Sequence, residues 1–283
     1  MVSNETTFRM ISGRILPVLA AAIAALFVCA PVAYALDEGE DERNWELMVG
    51  GGVMWSPEFP GADELDFTLF PAIVASFETP LTRWFIDFNE LGVELKFGSA
   101  ARFSATAGVG LGDFEREDDD RDRFAGSASV KNGVRFFGQF NAPLPASFDL
   151  AFRATYFPIA SSYAEADRKD QDYGGMTFQI YAEREWLLFP FFVYLSVGST
   201  WMGKDYAEAV YGVEYATADF SRFKADAGFH DVFFLTNLML FFSEHLGIGS
   251  TVECLYLLGD AADSPFADRA FQPTVGVYGL YRF

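Results

Sequence analysis

A transmembrane, antiparallel, up-and-down β-barrel is the fold class this chain predicts, and three observations carry it. Apolar residues make up 51% of the 283 positions, with 32 Phe and 12 Tyr, yet the formal net charge is -20. Beyond the first thirty-five positions no apolar run approaches the ~20 residues that a spanning helix needs. Apolar and polar side chains instead alternate with the two-residue period of strands whose faces meet different solvents.

The N-terminus is set apart from this pattern. Arg9 and Arg14 precede an apolar run from Ile15 to Val28, and Ala33-Tyr34-Ala35 supplies a small-x-small cleavage site, so residues 1–35 read as a cleaved signal peptide. A lipoprotein reading built on Cys29 is weaker, because Val28 is large for a lipobox. A retained helix is interrupted by Pro17 and Pro31. Removing Glu5, Arg9 and Arg14 takes away a net +1 and leaves an exported chain of -21. Its single cysteine, Cys254, excludes an intramolecular disulfide, and its acidity excludes nucleic acid as a partner. Residues 36–44 then form an acidic periplasmic segment and residues 45–283 the barrel.

In chain order, strands begin near Trp45, Asp66, Arg83, Leu91, Arg102, Val130, Phe148, Gly175, Phe191, Asp226, Leu246 and Gln272. The last is the clearest. Phe271, Pro273, Val275, Val277, Tyr281 and Phe283 share one parity, and Gln272, Thr274, Gly276 and Arg282 the other. Phe148, Leu150, Phe152, Ala154 and Tyr156 alternate in the same way with Asp149, Ala151, Arg153 and Thr155. The barrel therefore has about twelve strands, with ten as the alternative; fusing the two shortest, near Arg83 and Leu91, would make the number odd, against the even count of single-chain bacterial barrels. Short connections (GSAAR, NAPLPAS, SEHLG) fall on the periplasmic side and long polar ones outside.

The second parity places Glu46, Asp87, Glu94, Lys96, Arg102, Lys131, Arg135, Asp149, Arg153, Glu183, Glu253 and Arg282 inside, an interior of mixed charge that fills and rigidifies the lumen by ion pairing, with a narrow channel as the alternative. No catalytic, cofactor or metal site stands out. GSTWMGKD, residues 198–205, nearly matches a phosphate-binding loop, but Asp205 replaces the hydroxyl residue and no helical pattern follows at once. GVGLGD near Gly108 lacks the βαβ context of a dinucleotide loop. The acidic run 113–122 reads as a solvated outer loop, since the ligand order of a calcium loop is missing. His230 beside Asp231 has no nucleophile arranged around it.

One turn-rich stretch, LLGDAADSPF, separates the last two strands, and its short polar side chains and Pro265 have the chemistry of a hydrogen-bonded outer loop. Gly259, Asp260, Ala261, Ala262, Asp263, Ser264 and Pro265, followed by a strand ending in YGLYRF, resemble the closing signature of the MipA/OmpV family of outer-membrane proteins. GGGVMWSPEFPGADELDFTLFPAI, with Pro57, Phe59, Gly61, Asp63 and Pro71, resembles that family's first hairpin, and FNELGVELKFG and DAGFHDVFFLTNLMLFFSEHLGI resemble later ones. The resemblance implies a non-enzymatic outer-membrane scaffold for peptidoglycan remodelling, associated with a lytic transglycosylase and a bifunctional penicillin-binding protein. It also implies two rivals, a narrow channel for small solutes or antibiotics and an adhesin acting through acidic outer loops. The terminal aromatics Tyr281 and Phe283 resemble the signal read by the barrel-assembly machinery.

Overall fold

The structure, a computed structural model, describes residues 44–98, 102–111, 133–158, 175–188, 190–213 and 221–283. The signal peptide, most of the acidic segment, the acidic run 113–122 and Lys131 lie outside the described residues.

Twelve described strands close into one antiparallel barrel in sequence order. They are β1 (Trp45–Pro57), β2 (Leu65–Glu78), β3 (Thr82–Asp87), β4 (Glu90–Phe97), β5 (Phe103–Leu111), β6 (Val134–Pro143), β7 (Asp149–Phe157), β8 (Gly175–Leu188), β9 (Phe191–Met202), β10 (Gly228–Phe241), β11 (Leu246–Leu257) and β12 (Phe271–Arg282). Two short helices interrupt the outer loops, α1 (Lys204–Tyr211) and α2 (Gly259–Asp263). The first and last strands pair from Met48 opposite Arg282 to Trp55 opposite Val275. Closure removes the free edges that lipid would leave without hydrogen-bond partners, at several kcal/mol per group.

Parity assigns the faces. Trp45, Val49 and Trp55 on β1 and Phe271, Val275, Val277 and Tyr281 on β12 are exposed apolar side chains on the outer wall, while Met48, Gln272, Tyr278 and Leu280 on the alternate positions are buried. Aromatics ring the wall at two levels. Trp55, Phe67, Tyr156 and Tyr256 stand near the outer end, and Trp45, Trp84, Phe97 and Phe191 near the periplasmic end. Two such girdles are what a barrel fitted to a bilayer presents.

Inside, large rings lie flat over glycines of the neighbouring strand. A Cβ on Gly249 would come within 2.3 Å of the Tyr278 ring, and one on Gly108 within 2.5 Å of Phe137. The glycines therefore serve packing in a tight interior.

The wall is not of even height. β3 and β4 are the shortest strands, and β3 reaches only Val74 on β2, opposite Asp87. At the tip Phe88 adopts φ of 49°, a left-handed geometry that costs a non-glycine residue roughly 1 kcal/mol. Its N–H donates to Ile73 at 2.9 Å, and the Asn89 carbonyl accepts from Leu111 at 3.0 Å. β2 continues beyond this tip for a further eight residues to Leu65, about 26 Å of strand. Among the described residues no strand pairs with that outer half on the β3 side. Ile73 shows which side its odd positions face, and one of them is Pro71, which has no N–H to leave unsatisfied. The N–H of another, Phe67, is taken by the Asp66 carboxylate at 2.7 Å.

Candidate functional site

The lumen has two unlike walls. On β3 to β8, Arg83, Asp87, Glu90, Glu94, Arg135, Asp149, Arg153, Glu183 and Glu185 occupy inward positions, by the register that pairs Asp87 with Glu90, Glu90 with Gly110 and Asp149 with Glu183. Glu90 is their centre. It accepts from Arg135 Nη2 at 2.9 Å and from Arg153 Nη1 at 3.2 Å, with a further bond from Arg153 Nη2. Arg153 also lies 4.0 Å from the centre of the Phe137 ring. One carboxylate thus ties β4, β6 and β7 together below the outer mouth. Nearer the periplasm, the Tyr194 hydroxyl donates to Glu183 at 2.7 Å.

The opposite wall is apolar. Met48, Ala72, Met239, Tyr278 and Leu280 form a buried cluster joined by Phe70, Val74, Phe192 and Phe241. It brings β10 against β1, β2 and β12 and fills that side of the lumen.

Three outer loops cap the far end. In α1, Tyr206, Ala207, Ala209, Val210 and Tyr211 are buried while Lys204, Asp205 and Glu208 keep the polar side, the pattern of an amphipathic helix with one face in a core. That face packs on Met202, Leu257 and Ala261, with Phe157 at the edge. Phe59 and Ala62 of the first loop join Val213 and Phe266 in a second cluster. Polar bonds lock the three together. Ser264 Oγ donates to the Tyr211 carbonyl at 2.8 Å, Asp260 accepts from the Asp226 N–H at 2.7 Å, and Gln272 accepts from Gly61 at 3.1 Å while donating to Ala62 at 3.3 Å. Burial, with Tyr206 and Asp231 adding to it, holds the Tyr211 phenol well above its ordinary pKa of 10.0, so it stays neutral within the cap. A cavity of 170 Å³ remains beneath, between α1, α2 and His230.

The sequence profile of the family described as MltA-interacting protein MipA matches residues 49–283, the whole described barrel apart from its first residues. The chain belongs to the MipA family. No curated protein matches it. Solved structures similar in fold include the NanC porin (10% identity, TM-score 0.38, covering 83% of this chain and 98% of that one). The translocator domain of the autotransporter NalP from Neisseria meningitidis is 8% identical at TM-score 0.40, covering 94% and 98%. An outer-membrane channel from Pseudomonas putida F1 is 12% identical at TM-score 0.40, covering 88% and 98%.

As a MipA-family barrel the protein resides in the outer membrane, and its sequence-marked residues fall as follows. Gly259 to Pro265 form α2 and the turn after it, against α1, with Gly259 at φ of 52°. Asp260 and Ser264 bond to other loops, a long-range partnership that no local pattern exposes, while Ala262, Phe266 and Ala267 close local turns on Leu258 and Ser264. Tyr281 and Phe283 stand on the outer wall at the periplasmic end, ring centres 4.9 Å apart. Arg282 faces inward and reaches Glu46 at 3.0 Å. Glu90, the centre of the ion-pair network, is absent from the inward residues picked out by alternation, although it shares the parity of Glu94 and Lys96; starting that strand one residue before Leu91 would have found it. Arg102 is corrected: it precedes β5 as an exposed residue at the periplasmic edge.

The near-match to a phosphate loop is corrected in one respect, because a helix does follow it, α1 from Lys204. The preceding glycine, however, is in mid-strand, opposite Tyr181, where a Cβ would meet that side chain at 2.4 Å. Lys204 is committed to Asp226 at 3.6 Å. His230 sits in a β-bulge of β10; its Nδ1 lies 3.0 Å from Asp231 Oδ2, too oblique for a hydrogen bond. Asp231 instead accepts the Thr200 N–H at 3.1 Å, which makes it a fastener of the bulge.

Proposed function

We propose that this protein is a non-enzymatic scaffold of the outer membrane whose periplasmic rim holds a lytic transglycosylase and, beside it, a bifunctional penicillin-binding protein. The observation that carries the reading is at the rim. Leu81, Leu144, Leu187, Leu188 and Phe242 stand exposed on or beside the periplasmic turns, Leu187 at 77% and Leu81 at 65%. A ring of apolar side chains at the mouth facing the cell wall is the composition of an interaction patch. The description of the family, an MltA-interacting protein, supports the same partner class. The capped outer mouth and the lumen filled from both walls favour a closed barrel over an open axial pore.

The turns are short, so the contact is small or includes residues 36–43; a stable interface needs roughly 800 Å² from each partner. The test is recovery of murein enzymes on the tagged barrel from solubilised envelopes at low salt. Recovery of a lytic transglycosylase by the wild type, reduced about tenfold or more by Leu81→Glu with Leu187→Glu, is expected from loss of two central apolar anchors. No murein enzyme on the folded wild type, or equal recovery by the variant, would exclude the reading.

A further inference from the structure

We propose that the periplasmic end of β8 takes up an extended segment of a periplasmic protein as an added strand, one with basic side chains on its inward face and apolar side chains on its outward face. The scaffold reading supplies only the source of that segment; strand pairing within this chain supplies the edge.

Unequal strands build the edge. β7 begins at Asp149, opposite Glu183, whereas β8 runs on to Leu188 and is paired there with β9 alone. The Gly203 N–H donates to the Met176 carbonyl at 2.8 Å. That bond fixes the phase of the ladder: even residues of β8 bond to β9, and odd residues turn their N–H and C=O groups the other way. Beyond Glu183 the odd residues are Glu185 and Leu187. Among the described residues nothing bonds to their backbone on that side. The turn before β7 does not cover them, because Ala146 and Ser147, at φ of 62° and 58°, bend the chain back to β6 at Pro143. Arg184 ties that turn to β8 through its side chain, donating to the Ala146 carbonyl at 2.5 Å and lying 4.5 Å from the Trp186 ring. The notch is thus bordered by described residues on both sides. Its β8 side holds two N–H and two C=O groups, with Leu187 77% exposed and neither a proline nor a bulge to blunt it, which makes it a template for another strand.

Charge selects the occupant. A strand added there follows the track of β7, so its side chains opposite Glu185 and Leu187 point into the lumen, on the same face as Asp149. Glu94, Asp149 and Glu185 feel one another's charge, and none of the three has an ion-pair partner among the described residues. Arg83, whose field reaches Glu185, is paired with Glu78 at 3.4 Å. Lysine or arginine on the inward face of the added strand meets this surplus of negative charge. On the outward face the neighbours are Trp186 and Leu188, and Leu188 lies opposite the girdle residue Phe191, so the alternate side chains are apolar. Residues 36–43 of this chain carry five carboxylates and one arginine, and a second copy brings the same carboxylates; both meet repulsion.

The probe is a fluorescent octapeptide of alternating Lys and Val, titrated against the detergent-solubilised barrel and followed by anisotropy, with folding verified by heat-modifiable migration. Wild type should bind it about tenfold or more tightly than the Glu–Val counterpart. Leu187→Pro should weaken binding about fivefold or more beyond Leu187→Ala, because both lose the side chain and only proline loses the edge N–H. The β8–β9 ladder does not use that N–H. In this register the lysines turn their N–H groups to β8, so N-methylation at the lysines should cost the same factor on wild type, and N-methylation at the valines much less; this comparison decides the matter if Leu187→Pro fails to fold. No binding of the Lys–Val peptide would overturn the proposal. So would equal affinities of Leu187→Ala and Leu187→Pro, equal effects of the two methylations, or equal binding of the acidic peptide. Absence of murein enzymes from the tagged barrel would sink the scaffold reading, while the peptide alone decides the edge.

Discussion

Arg282 reaches across the closing seam to Glu46, guanidinium to carboxylate at 3.0 Å, joining the last strand to the first at the periplasmic rim. Both side chains are partly exposed, and an ion pair of that kind contributes about 0.2–1 kcal/mol. Its neighbours do more. Tyr281 stacks on His245 at 5.6 Å, and the Phe283 N–H donates to the Leu47 carbonyl at 3.0 Å, extending the seam by one bond at its periplasmic end.

Assembly should therefore depend on the aromatics. Deleting Phe283, or placing Asp at Tyr281, is expected to lower the yield of heat-modifiable barrel in the outer membrane several-fold, since a charge on the lipid face costs about 2–4 kcal/mol toward mid-membrane and less near the interface. Arg282→Gln should leave the yield nearly unchanged. Equal yields from all three would show that the parity of β12 or the terminal signal has been misassigned.

Glu90 holds two arginines, so its loss takes the shared anion from the buried Arg135 and the half-buried Arg153. Glu90→Gln is expected to destabilise the barrel by about 3–5 kcal/mol, seen as a lower midpoint in urea unfolding from micelles. Glu78→Gln removes a carboxylate from the exposed rim, where it pairs with Arg83 at 3.4 Å and Lys96 at 3.3 Å, and should shift the midpoint by less than about 1 kcal/mol. A smaller effect at Glu90 than at Glu78 would refute the network as a stabilising centre.

Ser264 Oγ is buried, with the Tyr211 carbonyl as its acceptor. Ser264→Ala leaves that carbonyl unsatisfied in the cap at about 1–3 kcal/mol. Because the strands do not depend on the bond, limited proteolysis of the outer loops should accelerate while heat-modifiability of the barrel is retained. Unchanged proteolysis would mean that the cap is held by its apolar contacts alone.

Adjacent positions on β2 offer a sharp contrast. Pro71 faces the side on which, among the described residues, no strand pairs with β2, so Pro71→Ala is expected to change stability by under about 1 kcal/mol. Ala72 faces the β1 ladder opposite Gly50, and Ala72→Pro should cost about 3 kcal/mol or more by deleting a ladder bond. Equal tolerance of the two substitutions, in the same unfolding assay, would show that the outer half of β2 is not a free edge.

Alternation, by itself, determined the barrel, the number of its strands and the face of nearly every residue on them. Lipid outside and a polar interior impose a two-residue period that each strand records locally, as β12 does from Phe271 to Arg282. The helix after Met202 escaped that reading because the eight residues from Lys204 to Tyr211 are too few to establish a competing period. Tertiary structure alone decided which charges meet and which loops close the mouth. Glu90 lies 45 residues from Arg135 and 63 from Arg153, and Ser264 lies 53 from Tyr211; such partners are chosen by the register of intervening strands, which no single segment encodes. The uneven wall belongs to the same class. Pro71 is legible as an edge residue only once β3 is seen to stop at Asp87, because pairing among the described strands is decided by where the neighbour ends.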